Sequence, residues 1–310
     1  MHSCDQAGQR FPTCDWRTFL ASLLGTMKYF MSQEACRPLS ALVMMFTLIL
    51  GMITLTPGDS RAADPQKAPL PEKENFHLYL LVGQSNMAGR GEVSEADRTP
   101  HPRVLMFNKN KEWVPAVDPL HFDKPRAVGT GLGKTFGILV AESNPEITIG
   151  LIPCAVGGTS IDVWVPGALD SATKTHPWDD CMERAKLALQ HGTLKGILWH
   201  QGESDANEKK VTKYEEKLSN LIHRFRTELQ APNVPFLLGQ LGQFESRPWN
   251  EPRKKIDRII RNVAEKTPNA AFVSSDGLTD KGDGTHFNAE SYREFGKRYA
   301  EAYLKMVSGQ

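Results

Sequence analysis

Five short apolar runs, at residues 77–82, 147–152, 196–200, 234–241 and 270–275, recur through the chain after residue 75. Runs of this length, bounded by Gly, Pro or polar residues, read as strands buried on both faces. Helical periodicities lie between them. Tyr214, Leu218, Leu221, Ile222, Phe225 and Leu229 share one helix face, and Ile256, Ile259, Ile260 and Val263 share another. A last helix is expected after Asn288, a good N-cap, with Tyr292, Phe295, Tyr299 and Tyr303 spaced to pack inward. Strands alternating with helices call for a parallel sheet covered on both sides. The expected class is α/β: a three-layer α/β/α sandwich around a central parallel sheet of about five strands. Ligands of such sheets sit beyond the carboxyl ends of the strands, so the residues following each apolar run are the first place to look for chemistry.

The N-terminal part has a different character. Residues 38–58 carry no charge, Arg37 precedes them, and Ser60-Arg61-Ala62-Ala63 soon follows. A basic flank, an apolar stretch and small residues at a cleavage point describe a secretory signal. About 20 apolar residues also suffice to cross a bilayer, so an uncleaved membrane anchor over 38–58 is the alternative. The expected organisation is a signal peptide or anchor at 1–63, a polar, Pro-studded linker at 64–75 and one domain at 76–310, exported to a periplasmic or extracellular space. Cys4, Cys14 and Cys36 then drop out of the folded part. Cys154 and Cys181 remain, as two buried thiols or, in an oxidising compartment, as a pair.

Charge and motif spacing exclude several functions. With 37 Lys+Arg against 36 Asp+Glu the net charge is +1, and no basic stripe stands out, so nucleic acid is not an expected partner. The nine His contain no H-E-x-x-H pair, and the two remaining Cys lack metal-ligand spacing, so no metal is expected. Residues 129–135 look like a phosphate-binding loop, but Val128 stands where its first Gly is required and no strand precedes it. They read instead as a Gly-rich lead into a helix through Phe136, Leu139 and Val140, with no nucleotide and no other cofactor.

Four strand ends carry polar clusters. The first run leads into Gly83-Gln84-Ser85-Asn86, which puts Ser85 on a turn above the sheet edge, as a nucleophile or as a helix cap. Near the other end of the chain, Asp283 precedes His286 by three residues in a Gly-rich loop. A seryl oxygen needs a base that works near neutral pH, and His is the usual one; an Asp at this spacing can turn back to orient the imidazole. After the second run, Gly157 and Gly158 can point backbone N–H groups at a developing oxyanion, or form an ordinary turn. After the third, Gln201 can aim an amide at the same spot, or be a satisfied loop amide. His200 beside it reads as a structural strand-end residue.

In their order along the chain, GQSNMAG, PCAVGGTS, WHQGESD and DGTH resemble the four blocks of the SGNH hydrolase superfamily, and most closely its sialate O-acetylesterase and acetyl xylan esterase branch, carbohydrate esterase family 6. The resemblance spans residues 76–304. It implies a flavodoxin-like α/β/α fold and cofactor-free removal of acetyl groups from O-acetylated sugars, of acetylated xylan type or sialic acid. By position it implies Ser85 as nucleophile, His286 as base and Asp283 as its acid. It implies an oxyanion hole from the Ser85 and Gly158 N–H groups and the Gln201 side chain. Glu203 of the HQGE block is the alternative acid, ranked below Asp283 because the three-residue spacing needs only a local turn. Residues 90–131 are expected to form the rim, with Arg90, Trp113, Trp164 and Trp178 as candidates for gripping sugar rings or as packing residues. The near-neutral charge suits a neutral polysaccharide. The alternatives are a non-catalytic carbohydrate-binding module on the same fold, or a short-chain lipid esterase or thioesterase.

Overall fold

The computed structural model describes residues 70–309. The signal or anchor read at 1–63, with its apolar run at 38–58, lies outside the described residues. No helix among those described is long and apolar enough to cross a membrane.

In chain order the elements are β1 (Phe76–Gly83), α1 (Ser85–Ala88), α2 (Glu95–Arg98), β2 (Val104–Phe107), β3 (Trp113–Pro115), α3 (Gly133–Ser143), β4 (Thr148–Pro153), α4 (Pro177–Ala188), β5 (Thr193–His200), α5 (Tyr214–Glu228), β6 (Phe236–Gly239), α6 (Glu251–Lys266), β7 (Ala270–Val273) and α7 (Ala289–Ser308). The sheet order is β3-β2-β4-β1-β5-β6-β7, parallel throughout except for the β2–β3 pair. The five apolar runs became β1, β4, β5, β6 and β7. Their order, counted among themselves, is the 2-1-3-4-5 of a flavodoxin-like sheet, whose crossovers diverge between β1 and β5. The sheet has seven strands rather than about five, because β2 and β3 extend its β4 edge. Part of the segment expected to form only the rim is therefore sheet.

β1 explains why the sandwich has two cores. Leu78, Leu80 and Val82 point into a cluster with α4, α5 and α6 residues such as Trp178, Phe225 and Ile260. Tyr79 and Leu81 point the other way, into a cluster with Phe136 of α3 and Phe295 and Tyr299 of α7. A strand covered on both faces must be apolar at every position, which is why it shows as a continuous run. The predicted faces of α5 and α6 are the buried ones. Asn288 caps α7 by accepting the Ser291 N–H at 2.8 Å, an interaction typically worth about 1 kcal/mol. The Gly-rich 129–135 segment does lead into α3. Cys154 and Cys181 are buried free thiols.

A polar cluster is enclosed beside α3. Arg293 of α7 grips Asp97 through Nε at 3.0 Å and Nη2 at 2.6 Å, while Lys134 Nζ donates to the Ala96 and Asp97 carbonyls. Asp118 is 3% exposed nearby, with Oδ1 unpartnered. Burial raises its pKa from 3.8 to about 7, with Lys134 opposing and Asp97 adding to the rise. The folded state thus holds this proton more tightly than the unfolded chain. Asp118 therefore weakens the fold progressively as pH rises from about 4 to about 7, and fully above that. Asp118→Asn is expected to raise the melting midpoint at pH 8, by at most about 4 kcal/mol in free energy, and to leave it nearly unchanged at pH 4. Equal shifts at both pH values would contradict this electrostatic origin.

Candidate active site

The turn after β1 is shaped by a close approach. A Cβ on Gly83 would sit 2.1 Å from the His200 carbonyl oxygen, and Gly83 has φ +127°, so only glycine lets β1 end flush against β5. The Gln84 N–H then donates to His200 O at 2.9 Å. The chain turns directly into the single turn α1, whose first residue is Ser85, 6% exposed at the floor of a cleft.

Asn86, next along, is a residue that sequence reasoning passed over. Its Nδ2 donates to Glu203 Oε1 at 2.6 Å and to the Thr285 carbonyl at 3.0 Å. Its Oδ1 accepts from the Tyr292 hydroxyl at 2.7 Å and from the Phe287 N–H at 3.4 Å. Every hydrogen-bonding position of this amide is used. The side chain ties the Ser85 turn to the loop that holds His286. The sequence offers only an Asn between Ser85 and the apolar Met87; that Asn86 is fully buried is seen only in the fold.

That loop brings His286 to Ser85. The imidazole Nε2 lies 3.0 Å from Ser85 Oγ, and its Nδ1 lies 2.7 Å from Asp283 Oδ2. The other Asp283 oxygen accepts the backbone N–H groups of Thr285 and His286 at 2.9 and 2.8 Å, so the expected local turn is closed by the same carboxylate. Burial tends to raise the Asp283 pKa, but the hydrogen bond from the His286 ring and those from the two backbone N–H groups outweigh it and hold the carboxyl below its usual value. Phe287, fully buried, anchors the loop edge-to-face against Phe244, Tyr292 and Phe295 at ring separations of 5.2 to 5.5 Å. Such pairs contribute about 0.5–1.5 kcal/mol each beyond their burial.

The remaining expected residues divide. Gly158 lines the cleft with Ser85 and His286. Neither the Ser85 nor the Gly158 N–H meets a backbone acceptor among the described residues. Gln201 does not reach the cleft: it is fully buried, and its Nε2 donates to Thr159 O at 3.1 Å and to Asp205 Oδ2 at 2.5 Å. Its Oε1 faces the Tyr214 hydroxyl at 2.9 Å. With both amide protons taken, it has none to present to an oxyanion. The buried Asp205 carboxylate, four residues on, draws the amide away.

Glu203 lines the cleft, but Asn86 holds its Oε1, which stands 3.8 Å from His200 Nδ1; the hydrogen bond to the His286 ring comes from Asp283. Trp113, Trp164 and Trp178 are 6%, 0% and 1% exposed, so they are core residues and not sugar platforms. Arg90 borders the cleft with its guanidinium committed to Asp123 and the Gly89 carbonyl. His200 is buried and bonded through Nε2 to the Gln240 carbonyl, a structural role as expected. Among the described residues no group of three or more His, Cys, Asp or Glu is arranged to hold a metal ion.

The cleft has a volume of about 490 Å³. Lys124, Arg247, Arg253 and Lys281 line it against the carboxylates of Glu203 and Asp283. Arg247 Nη1 donates to Thr285 Oγ1 at 3.0 Å, and Lys281 Nζ stands 4.0 Å from Asp283. Burial, then the like charge of Arg247, lowers the pKa of Arg253, with Glu203 as the countercharge. The balance of the cleft is cationic although the chain as a whole is nearly neutral.

Residues 75–305 match the family model described as carbohydrate esterase, sialic acid-specific acetylesterase. A probable carbohydrate esterase of Arabidopsis thaliana is 28% identical over 273 residues, covering 81% of this chain and 97% of that protein. The crystal structure of that same Arabidopsis thaliana protein superposes with a TM-score of 0.66 over 75% of this chain and 98% of its own. The structure of NanS, 17% identical, gives 0.60 over 78% and 100% of the two chains. A carbohydrate acetylesterase from Xanthomonas citri, 21% identical, gives 0.56 over 75% and 56%. The last two likenesses speak to the fold.

Proposed function

The chain belongs to the carbohydrate esterase family of sialic acid-specific acetylesterases and is a hydrolase of acetyl esters, and from that premise we propose that it removes O-acetyl groups from sugars through a Ser85 acyl-enzyme. The observation that carries the mechanism is the continuous chain from Ser85 Oγ through both ring nitrogens of His286 to Asp283, at 3.0 and 2.7 Å, on the floor of a cleft. Asp283 accepts the Nδ1 proton and so leaves Nε2 as the basic nitrogen. Ser85 Oγ attacks the acetyl carbonyl while Nε2 takes its proton. The tetrahedral oxyanion is received by the Ser85 and Gly158 N–H groups, donors commonly worth about 3–4 kcal/mol each in the transition state. Collapse expels the sugar oxygen, which takes the proton back from Nε2. Water then repeats the sequence on the acetyl-enzyme and frees acetate. An intact triad of this geometry weighs against a non-catalytic binding module.

The cationic lining favours an acidic acetylated sugar over the neutral polysaccharide suggested by the overall charge. We assign the esterase unit to residues 76–310, after a linker at 64–75, and read residues 1–63 as a signal peptide or anchor that directs export.

The test is acetate release from an O-acetylated acidic sugar, from its neutral counterpart and from p-nitrophenyl acetate and octanoate. The acidic sugar is expected to have the highest kcat/KM among the sugars, and acetate to be cleaved faster than octanoate. Lys124, exposed on the cleft wall, is the cleanest charge to remove. Lys124→Met should raise KM for the acidic sugar about tenfold, or about 1.4 kcal/mol, with p-nitrophenyl acetate within about twofold. Faster octanoate cleavage would favour the lipid esterase instead. Equal effects of Lys124→Met on charged and neutral substrates would remove the acidic-sugar reading.

A further inference from the structure

Asp123 borders this site without any part in the proton transfers, and its side chain is only 2% exposed. One of its oxygens, Oδ2, accepts two hydrogen bonds of 2.7 Å, from the backbone N–H of Gly157 and from Nη2 of Arg90. Arg90 gives its Nη1 to the Gly89 carbonyl at 2.7 Å, and the Gly89 N–H closes α1 on the Ser85 carbonyl at 2.9 Å. A single carboxylate oxygen thus joins the turn after β1 to the turn after β4. These two turns carry Ser85 and Gly158.

The joint leaves no slack. A Cβ on Gly157 would lie 2.3 Å from Arg90 Nη2 and 2.9 Å from Asp123 Oδ2, so a side chain there would push the backbone off the carboxylate. The second oxygen, Oδ1, is buried with no hydrogen-bond partner among the described residues. An unpartnered buried polar atom is destabilising, and a buried ion pair seldom stabilises more than an apolar replacement of similar volume would. Stability alone therefore gives little reason for a carboxylate at this place. Holding Gly157 gives one.

We propose that Asp123 is a positioning residue of the ester hydrolysis: by fixing Gly157 against the Ser85 turn, it aims the next N–H, that of Gly158, at the oxyanion formed on the acetyl carbonyl. This rests on the serine esterase mechanism above. The donors contribute only when they stand where the charge develops, and a displacement near 1 Å can lower the rate on the order of 10²-fold.

Kinetics with p-nitrophenyl acetate and inhibition by a small boronic acid, which forms a tetrahedral adduct on an active serine, test the assignment on Asp123→Leu and Asp123→Asn. Because Asp123→Leu strands the Arg90 cation, the double variant Asp123→Leu/Arg90→Met is measured beside it, and Ser85→Ala serves as reference. The leucine variants are expected to lose about 30- to 100-fold in kcat, with KM within about threefold and boronate affinity falling in step with kcat/KM. Asp123→Asn keeps an oxygen for the Gly157 N–H and is expected to stay within about fivefold of the native rate.

Native-like kcat in the leucine variants, or equal losses with leucine and asparagine, would overturn the proposal. So would failure of the double variant to melt cooperatively, since Asp123 would then serve folding. If Ser85→Ala is inactive and the leucine variants are native-like, only the positioning role falls. If Ser85→Ala keeps native turnover, the serine mechanism falls and this role with it.

Discussion

Replacing Ser85 with alanine is expected to reduce acetyl release by roughly 10⁴- to 10⁶-fold in kcat while leaving the fold intact. The backbone bonds that shape α1, Gly89 N–H to Ser85 O and Met87 N–H to Gln84 O, do not involve the hydroxyl. What is lost is the one hydroxyl hydrogen-bonded to His286 Nε2. Water can occupy the space but has neither the fixed aim nor the covalent intermediate that divides the reaction into two easier steps. The same comparison identifies the intermediate: an acetyl group trapped by rapid acid quench should lie on the Ser85 peptide of the native enzyme and on no peptide of the variant. Release by Ser85→Ala at the native rate would end the acyl-enzyme mechanism.

Asp283→Asn is expected to cost about 10³- to 10⁴-fold in kcat, and Glu203→Gln no more than about tenfold. The asparagine substitution is informative because Asp283 does two things with two oxygens. Oδ1 accepts the Thr285 and His286 N–H groups, which an amide oxygen can also do, so the turn should survive. Oδ2 accepts the ring Nδ1–H, and an amide nitrogen in its place would donate to Nδ1 instead. The proton would then reside on Nε2, facing Ser85, where a base must have none. Glu203 receives the Asn86 amide and makes no hydrogen bond to the ring, so its replacement disturbs the strut without reversing the tautomer. The opposite ranking of the two variants would transfer the acid role to Glu203.

What could be read in the sequence follows from how each feature is encoded. β1, β4, β5, β6 and β7 are covered by helices or neighbouring strands, so their residues are apolar at nearly every position and stand out as runs. β2 and β3, only four and three residues long in a loop-rich segment, leave too short a trace to distinguish from rim. The Asp283 and His286 pairing was legible because three residues fix a local turn.

The direction of the Gln201 amide was not legible, since competition between the oxyanion site and Asp205 is settled by tertiary placement. The cationic cleft was hidden for a similar reason. Lys124, the Arg247 and Arg253 pair, and Lys281 come from three separate stretches of a chain whose total charge is +1, and only the fold gathers them. The tryptophans failed in the opposite sense: Trp113 lies in the short β3, Trp164 packs against Trp199 of β5 and Trp178 against Phe225 of α5, contacts that only the fold brings about.

Ser85 and His286 are 201 positions apart, and the strand that delivers Ser85 lies between β4 and β5. The first strand made is therefore an inner one, whose first partner is β4, after β2 and β3 have been made, and whose second is β5, and His286 follows all seven strands. Long-range closures of this kind are entropically costly and slow the approach to the native state. No N-terminal fragment ending before residue 286 holds both Ser85 and His286, the proposed nucleophile and base, however well its strands pair. On the proposed mechanism, activity during refolding should therefore appear only once the sheet from β1 to β7 has formed and the loop that carries His286 has closed over it.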